Sequence, residues 1–274
     1  GYLCKDPERT VRIRIEGEVE QGRAVLTVKG KPEGIARPEY EYDIPVADAR
    51  ELMGLCVGSI VEKTRYCHHI GAHVWEVDVF EGGNHGLIDV EMLQDAIRPP
   101  NDHYPRTKLL SLENTHNRCG GRVQPFKVVK ELHDWSRKNN LIFHLDGARL
   151  WNAIVATGIE AKAWGQLFDS VSVCYSKGLG APIGSAIVGT NEFIARCRRI
   201  RKRFGGGMRQ AGSIAAGAIY ALNNNIHRLK EDHEKAKVLG ESIQNTPGLK
   251  MDQPTVETNI VWFHVDPTLA PVPE

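Results

Sequence analysis

No run of apolar residues in this sequence approaches the roughly 20 that a membrane-spanning helix needs. No signal-peptide pattern is found at its start, and the charges nearly balance, with a formal net charge of +1. Nothing in this balance indicates a nucleic-acid or strongly charged partner. We therefore expect a cytoplasmic protein that binds neither a membrane nor nucleic acid.

Paired C-x-x-C spacing is also absent. The six cysteines are scattered along the chain at Cys4, Cys56, Cys67, Cys119, Cys174 and Cys197. Scattered cysteines favour reduced thiols over a disulfide scaffold or a zinc site. The sequence begins at Gly1 without a methionine and ends soon after a strand-like run. We therefore expect a fragment of a longer protein.

The first third of the sequence has the pattern of antiparallel strands. Apolar and polar residues alternate over residues 10–15, 24–29, 39–42, 62–66 and 74–80, and helical spacing predicts a helix over 46–57. Residues two apart share one face of a strand, so the charges in each run lie together. Two interpretations follow. The charges lie on the wet face of an ordinary sheet, or they line a closed barrel that holds a polyphosphate and its divalent metal.

From residue 86 onward, helical and strand patterns alternate. Helices are predicted at 89–97, 125–139, 191–204, 213–222 and 228–241, and strands at 108–112, 141–145, 169–174, 185–188 and 259–265. Strand, helix and strand in succession predict an α/β fold with a mostly parallel sheet covered on both faces.

Lys177 is the candidate for the chemistry. It ends the β-branched run that begins at Val171, and three glycines follow within seven residues. An ammonium at the end of a buried strand is partly desolvated, which lowers its pKa and leaves free amine for a Schiff base. The glycines would let the backbone approach a flat ligand.

Asp146 ends another predicted strand and is followed by Gly147 and Arg149. Pyridoxal phosphate enzymes need a lysine for the Schiff base and an acid that keeps the pyridine nitrogen protonated. Both groups would lie beyond the carboxyl ends of strands in an open α/β sheet. The alternative is a structural turn at Lys177 and an Asp helix cap at Asp146.

The predicted helix 191–204 is rich in arginine, which would suit a helix that binds nucleic acid. Phe193, Cys197, Ile200 and Phe204 nevertheless recur at helical spacing and form an apolar stripe. We therefore favour a basic face exposed to solvent, opposite that stripe. The glycines at 205–207 then form a hinge from which Arg209 could reach a phosphate.

Residues 1–87 resemble the CYTH, or triphosphate tunnel, domain. The matching segments are 1–3, 6–14, 26–30, 39–45, 62–66 and 75–82. The resemblance implies that basic residues line a tunnel for triphosphate and that acidic residues hold Mg²⁺ or Mn²⁺. The basic residues would be Arg12, Arg14, Lys29, Lys63 and Arg65, and the acidic ones Glu39, Glu41 and Asp78. Most of the family's metal-binding carboxylates have no counterpart, so hydrolysis is not expected.

Residues 88–274 resemble low-specificity L-threonine aldolase, of the aspartate aminotransferase fold group. The matching segments are 110–117, 144–149, 176–182 and 205–212. The resemblance implies that Lys177 forms the Schiff base with pyridoxal phosphate, that Asp146 pairs with the pyridine nitrogen, and that Arg149 lies beside the ring and the substrate carboxylate. His116 would lie near the β-hydroxyl of the substrate, a β-hydroxy amino acid, and Arg209 would help to hold the phosphate. A homo-oligomer is also implied.

Both resemblances are partial. The chain would comprise an incomplete CYTH-like segment, residues 1–87, and a truncated aldolase-like domain, residues 88–274, without the family's N-terminal phosphate loop or most of its C-terminal subdomain. Three hypotheses follow: a lyase that cleaves L-threonine or allo-threonine to glycine and acetaldehyde with impaired activity, a module that binds or hydrolyses triphosphate with Mg²⁺, and an inactive fusion fragment.

Overall fold

The computed structural model describes residues 2–6, 9–17, 22–31, 38–57, 63–70, 73–80, 86–94, 96–97, 106–266 and 268–269. The chain divides into two compact units, Gly1–Asn84 and His85–Glu274. Each unit is described by itself.

The first unit contains an antiparallel sheet and a separate strand pair. The sheet has the order β1-β2-β3-β4, and a helix, α1, follows it; the pair is β5-β6. The bounds are β1 Tyr2–Asp6, β2 Arg9–Glu16, β3 Arg23–Lys29, β4 Glu39–Ile44, α1 Val46–Met53, β5 Lys63–Ile70 and β6 His73–Phe80. These described strands do not close into a barrel, so the predicted barrel is not found in them.

The two faces of the four-stranded sheet differ in character. Ile13 and Ala24 are buried on one face, where they pack with Ala49 of α1. On the other face, Arg14 and Lys29 form ion pairs with Glu41, at 3.5 Å, and Glu39, at 3.4 Å. Lys29 on β3 and Glu39 on the neighbouring β4 are direct partners, whereas Arg14 on β2 reaches Glu41 on β4 across the intervening β3. Paired charges agree with the first of the two interpretations, but the face is not wholly exposed to solvent, since Val25 and Thr27 on it are fully buried.

The second unit alternates helices and strands as predicted. Its elements are α2 Val90–Leu93, β7 Leu109–Glu113, α3 Phe126–Lys138, β8 Ile142–Gly147, α4 Leu150–Thr157, α5 Ala161–Gly165, β9 Ser170–Cys174, β10 Ser185–Gly189, α6 Asn191–Arg203, α7 Gly212–Asn224, a 3₁₀ helix Ile226–Arg228, α8 Leu229–Gln244, β11 Leu249–Met251 and β12 Phe263–Val265.

The central sheet has the order β10-β9-β8-β7. Strands β7, β8 and β9 run parallel, and β10 runs antiparallel to β9 at the edge. Leu112, Leu145 and Val171 are buried on one face, and Phe143 packs on Phe168 with ring centroids 4.3 Å apart. The predicted mostly parallel sheet is thus confirmed.

We expected other elements to cover both faces of this sheet. That cover is incomplete. Leu109 and Ile142 are direct partners on β7 and β8, and each keeps about half of its surface exposed, at 50% and 51%. Strand periodicity predicts which residues share a face, but it cannot say whether another element covers that face.

Several predicted elements differ in extent. Helix α2 begins after the Asp89 cap, as predicted, but ends at Leu93 rather than Ile97. Helix α1 ends at Met53, four residues short, and is followed by Gly54. The predicted strand 259–265 is reduced to Phe263–Val265, which pairs with β11.

Helix α6 has the basic face that its sequence predicts. This face is exposed, and the apolar stripe is exposed in part, with Ile200 at 47% and Phe204, just beyond the helix, at 87%. Phe193, in the first turn, packs beside Gly189 of β10. The expected basic face exposed to solvent is thus found, and the apolar stripe is partly buried at Phe193 and Cys197 but exposed at Ile200 and Phe204.

None of the helices that the structure describes is long and apolar enough to cross a membrane. The same residues contain no cluster of three or more histidine, cysteine or acidic side chains with metal-binding geometry. Cys56, Cys174 and Cys197 are thiols.

Candidate active site

His116, Asp146 and Lys177 follow or end three adjacent parallel strands. Strand β7 ends three residues before His116, Asp146 is the penultimate residue of β8, and β9 ends three residues before Lys177. Glu113 is the direct partner of Asp146, which in turn faces Ser172 of β9. Neighbouring strands lie roughly 5 Å apart. The three candidate residues therefore share the carboxyl edge of the sheet.

Lys177 lies in a closed turn between β9 and β10. The main-chain N–H of Tyr175 donates to the carbonyl of Gly184 at 2.9 Å, and that of Ala181 donates to the carbonyl of Tyr175 at 3.0 Å. Within this loop, the N–H of Gly180 donates to the carbonyl of Lys177 at 2.8 Å. The Lys177 side chain is exposed. The desolvation predicted for it is not found, because the turn projects past the buried end of the strand.

Two residues from later in the chain, Leu229 and Asn225, contact this turn. Gly178 lies against Leu229 of α8, and a Cβ at Gly178 would come within 2.7 Å of the Leu229 Cδ2 atom. Asn225, just after α7, donates from Nδ2 to the carbonyl of Leu179 at 2.7 Å. Sequence reasoning missed both contacts. Their signal would have been the glycine next to the lysine, which indicates a close approach of another element.

A buried polar pair lies beside the same contact. The Asn152 Nδ2 and His233 Nε2 atoms are 3.1 Å apart, joining α4 to α8. Burial lowers the pKa of His233, and the nearby Lys237 lowers it further, while Asp232 has the opposite effect. A neutral imidazole can accept the amide proton at Nε2. The helices that flank the turn are therefore joined by a group whose charge depends on pH.

Asp146 is exposed, and its Oδ1 atom accepts the main-chain N–H of Ala148 at 3.1 Å. Two residues earlier on the same face, His144 Nδ1 lies 2.7 Å from the Ser170 hydroxyl of β9. Burial lowers the pKa of His144, against the opposing effects of Asp146 and of the hydrogen bond with Ser170. The strands that lead to Asp146 and to Lys177 are thus linked by side chains as well as by the backbone.

His116 lies in the loop after β7, and its side chain is mostly buried. Its main-chain N–H donates to the carbonyl of Arg122 at 2.9 Å, and its Nε2 atom lies 3.9 Å from Glu113 Oε2. The N–H of Asn114, two residues earlier, donates to the carbonyl of Asp146 at 3.0 Å. The loop is therefore held to the end of β8.

A distant segment closes the His116 loop. Glu257 accepts from Arg122 Nε at 2.9 Å and from the main-chain N–H of Val123 at 2.9 Å. The hydroxyl of Thr258 donates to the carbonyl of Gly121 at 2.6 Å. Gly121 has a φ of +68°, and a Cβ there would collide with that hydroxyl oxygen. Residues 257–258 thus hold residues 121–123, where the loop ends.

The two candidate arginines lie on different segments. Arg149 is half-buried and immediately precedes α4, three residues after Asp146. Arg209 is exposed in the segment between α6 and α7. In the first unit, Arg12, Arg14 and Lys29 share the charged sheet face with Glu39 and Glu41. The side chains of Lys63, Arg65 and Asp78 lie outside the described part of the chain.

The groups at the sheet edge suit one kind of cofactor. An exposed primary amine and an exposed carboxylate, carried by adjacent parallel strands, are the two protein groups that pyridoxal phosphate requires. The accessible amine can react with an aldehyde, and the accessible carboxylate can meet a pyridinium nitrogen.

Comparison with known protein families agrees with this choice of cofactor. The family model described as "Beta-eliminating lyase" matches residues 59–266. The chain belongs to this family. The match includes the strand pair β5-β6, which the sequence assigned to the CYTH-like segment. No match supports the CYTH resemblance.

Several curated proteins are similar to this chain. "Low specificity L-threonine aldolase" from Escherichia coli (strain K12) is 46% identical over 180 residues, which cover 66% of this chain and 52% of that protein. "Probable low-specificity L-threonine aldolase 2" from Arabidopsis thaliana is 43% identical over 182 residues, with coverage of 66% and 51%. The chain thus spans about half the length of the curated relatives it matches.

The fold is shared with a solved structure of threonine aldolase from Leishmania major. The TM-score is 0.55 at 19% identity, over 63% of this chain and 51% of that one. This likeness shows the α/β fold of the second unit.

Proposed function

We propose that this protein is a pyridoxal phosphate-dependent lyase of the threonine aldolase type, which cleaves L-threonine or L-allo-threonine to glycine and acetaldehyde. The observation that carries the proposal is the common edge of β7, β8 and β9, where His116, Asp146 and Lys177 follow or end adjacent strands. Family membership and the aldolase relatives support it.

Each candidate residue has a role in this proposal. Lys177 would attach the cofactor through its amine, and Asp146 would hold a proton on the pyridine nitrogen. Arg149 would bind the substrate carboxylate, and Arg209 would contribute to the phosphate site. When bound, pyridoxal phosphate supplies an acceptor for the electron pair of the breaking Cα–Cβ bond.

The protein's part in bond cleavage is a proton transfer. His116 would remove the proton of the substrate β-hydroxyl, so that the oxygen forms the carbonyl of acetaldehyde as the Cα–Cβ bond breaks. The amino-acid fragment then takes up a proton at Cα and leaves as glycine. Glu113 Oε2 lies 3.9 Å from His116 Nε2, so the carboxylate at the end of β7 would lie beside this imidazole.

Covalent labelling tests the proposal directly. The purified protein is incubated with pyridoxal phosphate and reduced with borohydride, and each lysine's label is measured by peptide mass spectrometry. We expect Lys177 to carry far more label than Lys162, an exposed lysine of α5. Equal labelling of the two lysines would refute the assignment of Lys177.

Acetaldehyde release from threonine provides the second measurement. Lys177→Ala should abolish release, whereas the matched Lys162→Ala should leave it unchanged. If release persists in Lys177→Ala, this lysine is not the attachment point. If Lys177 of the unaltered protein is labelled selectively but no acetaldehyde is released from threonine, the chain is the inactive fragment of the third hypothesis.

Triphosphate binding by residues 1–87 is the alternative hypothesis. Its basic candidates Arg14 and Lys29 already face Glu41 and Glu39, so a polyphosphate would have to displace paired carboxylates. Tripolyphosphate with Mg²⁺ should raise the melting temperature by mass action if it binds. An unchanged melting temperature would remove this hypothesis, along with the proposed Mg²⁺ or Mn²⁺ site. A homo-oligomeric state and a cytoplasmic location stay predictions.

A further inference from the structure

We infer that Asn225 is a positioning residue for Lys177: its side-chain amide holds the main chain of the lysine turn. The inference rests on the proposed function, because it concerns the orientation of the amine that would attach the cofactor. Asn225 lies between α7 and the 3₁₀ helix, 46 residues beyond the carbonyl that it binds.

The bond from Asn225 reaches the buried half of the turn. Leu179 keeps only 1% of its surface exposed and packs in one core with Ala181, Ala221 and Leu229. Its carbonyl accepts from Asn225 Nδ2 at 2.7 Å. A buried carbonyl that loses its donor is left without compensation for its lost hydration, so this contact is costly to remove.

The turn is closed by its own main-chain hydrogen bonds, and Asn225 adds a bond from another part of the chain. The Lys177 amine is exposed, and Gly178 and Gly180 flank Leu179, with Gly180 at a φ of +74°. Glycine-rich backbone has many accessible conformations. The bond at Leu179, two residues after Lys177, therefore restricts a segment whose own sequence does not.

Asn224 offers a matched control. It is the preceding residue and has the same side chain, and it also donates from Nδ2 to a main-chain carbonyl, that of Tyr220, at 2.8 Å. That bond is exposed and lies within α7. Asn224→Ala therefore removes a side-chain bond of the same type from an exposed position whose acceptor lies within α7 rather than in the turn.

Hydrogen exchange of the cofactor-free protein tests the inference without the proposed chemistry. We expect Asn225→Ala to accelerate exchange of the Gly180 and Ala181 amides about fivefold, the factor for one ordinary hydrogen bond. Asn224→Ala should not change these rates. Asn225→Asp keeps the side-chain shape but replaces the donor with a carboxylate that repels the carbonyl, so it should accelerate exchange at least as much as Asn225→Ala. Unchanged exchange in both Asn225 variants, or equal acceleration in Asn224→Ala, would overturn the inference.

Labelling with pyridoxal phosphate and borohydride provides a readout that a purely structural role would leave unchanged. In Asn225→Ala, which adds no charge beside the turn, the ratio of label at Lys177 to label at Lys162 should fall about fivefold, while total label at Lys162 stays constant. An unaltered ratio despite faster exchange would refute the positioning role and leave only a structural one. Equal labelling of both lysines in the parent protein would instead refute the proposed function, and the exchange data alone would then decide whether Asn225 holds the turn.

Discussion

The indole N–H of Trp151 donates to the carbonyl of Cys174 at 3.1 Å, so helix α4 is attached to the last residue of strand β9. Lys177 follows three residues later. Both partners are partly buried, and Trp151 also packs against the core cluster that contains Leu179 and Ala181.

Replacing this indole should destabilise the second unit. Trp151→Phe keeps an aromatic ring but leaves the Cys174 carbonyl without its donor, at an expected cost of about 1–2 kcal/mol in the free energy of unfolding. Urea denaturation would measure the change. Trp135→Phe makes the same replacement in α3. It should lower the free energy of unfolding by less than half as much. Equal losses at the two positions would show that ring size, not the hydrogen bond, determines the effect.

His116 should matter for catalysis more than for folding. If it removes the hydroxyl proton, His116→Ala should lower kcat/KM for threonine by about 100-fold or more. Acetaldehyde release would be measured together with the urea midpoint, to separate lost chemistry from lost structure. His264→Ala, which alters an exposed histidine of β12, should leave kcat/KM unchanged. A His116 variant that keeps its activity would exclude this histidine as the base.

Gly178→Ala should strain the contact between the lysine turn and α8. The new Cβ would lie 2.7 Å from Leu229 Cδ2, and overpacking of this kind costs about 1–3 kcal/mol. Combining it with Leu229→Ala should give a smaller loss than the sum of the two single changes, because the clash is then gone. At Gly165 a Cβ would have no neighbour within 4 Å, so Gly165→Ala serves as the neutral control. Strict additivity in the double variant would contradict the contact.

Stability should fall in mild acid because of His233. Burial holds its pKa below the usual 6.5. Between 6.5 and that lower value the unfolded chain binds a proton that the folded chain excludes, so the free energy of unfolding is highest above pH 6.5 and decreases as the pH falls. His144 acts in the same direction.

Urea midpoints at about pH 7.5 and about pH 5.5 would measure this dependence. His233→Gln, which keeps a hydrogen-bonding side chain without the titration, should reduce the difference between the two midpoints. The same difference in the variant and the parent would assign the dependence to other groups.

The sequence was sufficient to predict those parts of the site that depend on strand ends. Buried β-branched runs end where the chain leaves the sheet, so Asp146 and Lys177 could be assigned to its carboxyl edge from their positions alone. The parallel order of β7, β8 and β9 follows from the helices between them.

Other parts could not be predicted, because they depend on pairs that are distant in the chain. Asn152 and His233 are 81 residues apart, and no local pattern links them. Periodicity identified the stripe on α6 but not the absence of cover over Ile200. Likewise, the exposure of Lys177 depends on what surrounds the turn rather than on the turn itself.

The contacts of Glu257 and Thr258 also bear on how the chain is made. Glu257 pairs with Arg122 across 135 positions, and Thr258 meets Gly121 across 137. Translation proceeds from the amino terminus, at roughly 5–20 residues per second. The segment around His116 is therefore made several seconds before its closing partners exist, and it can mature only after residues 257–258 have been synthesised.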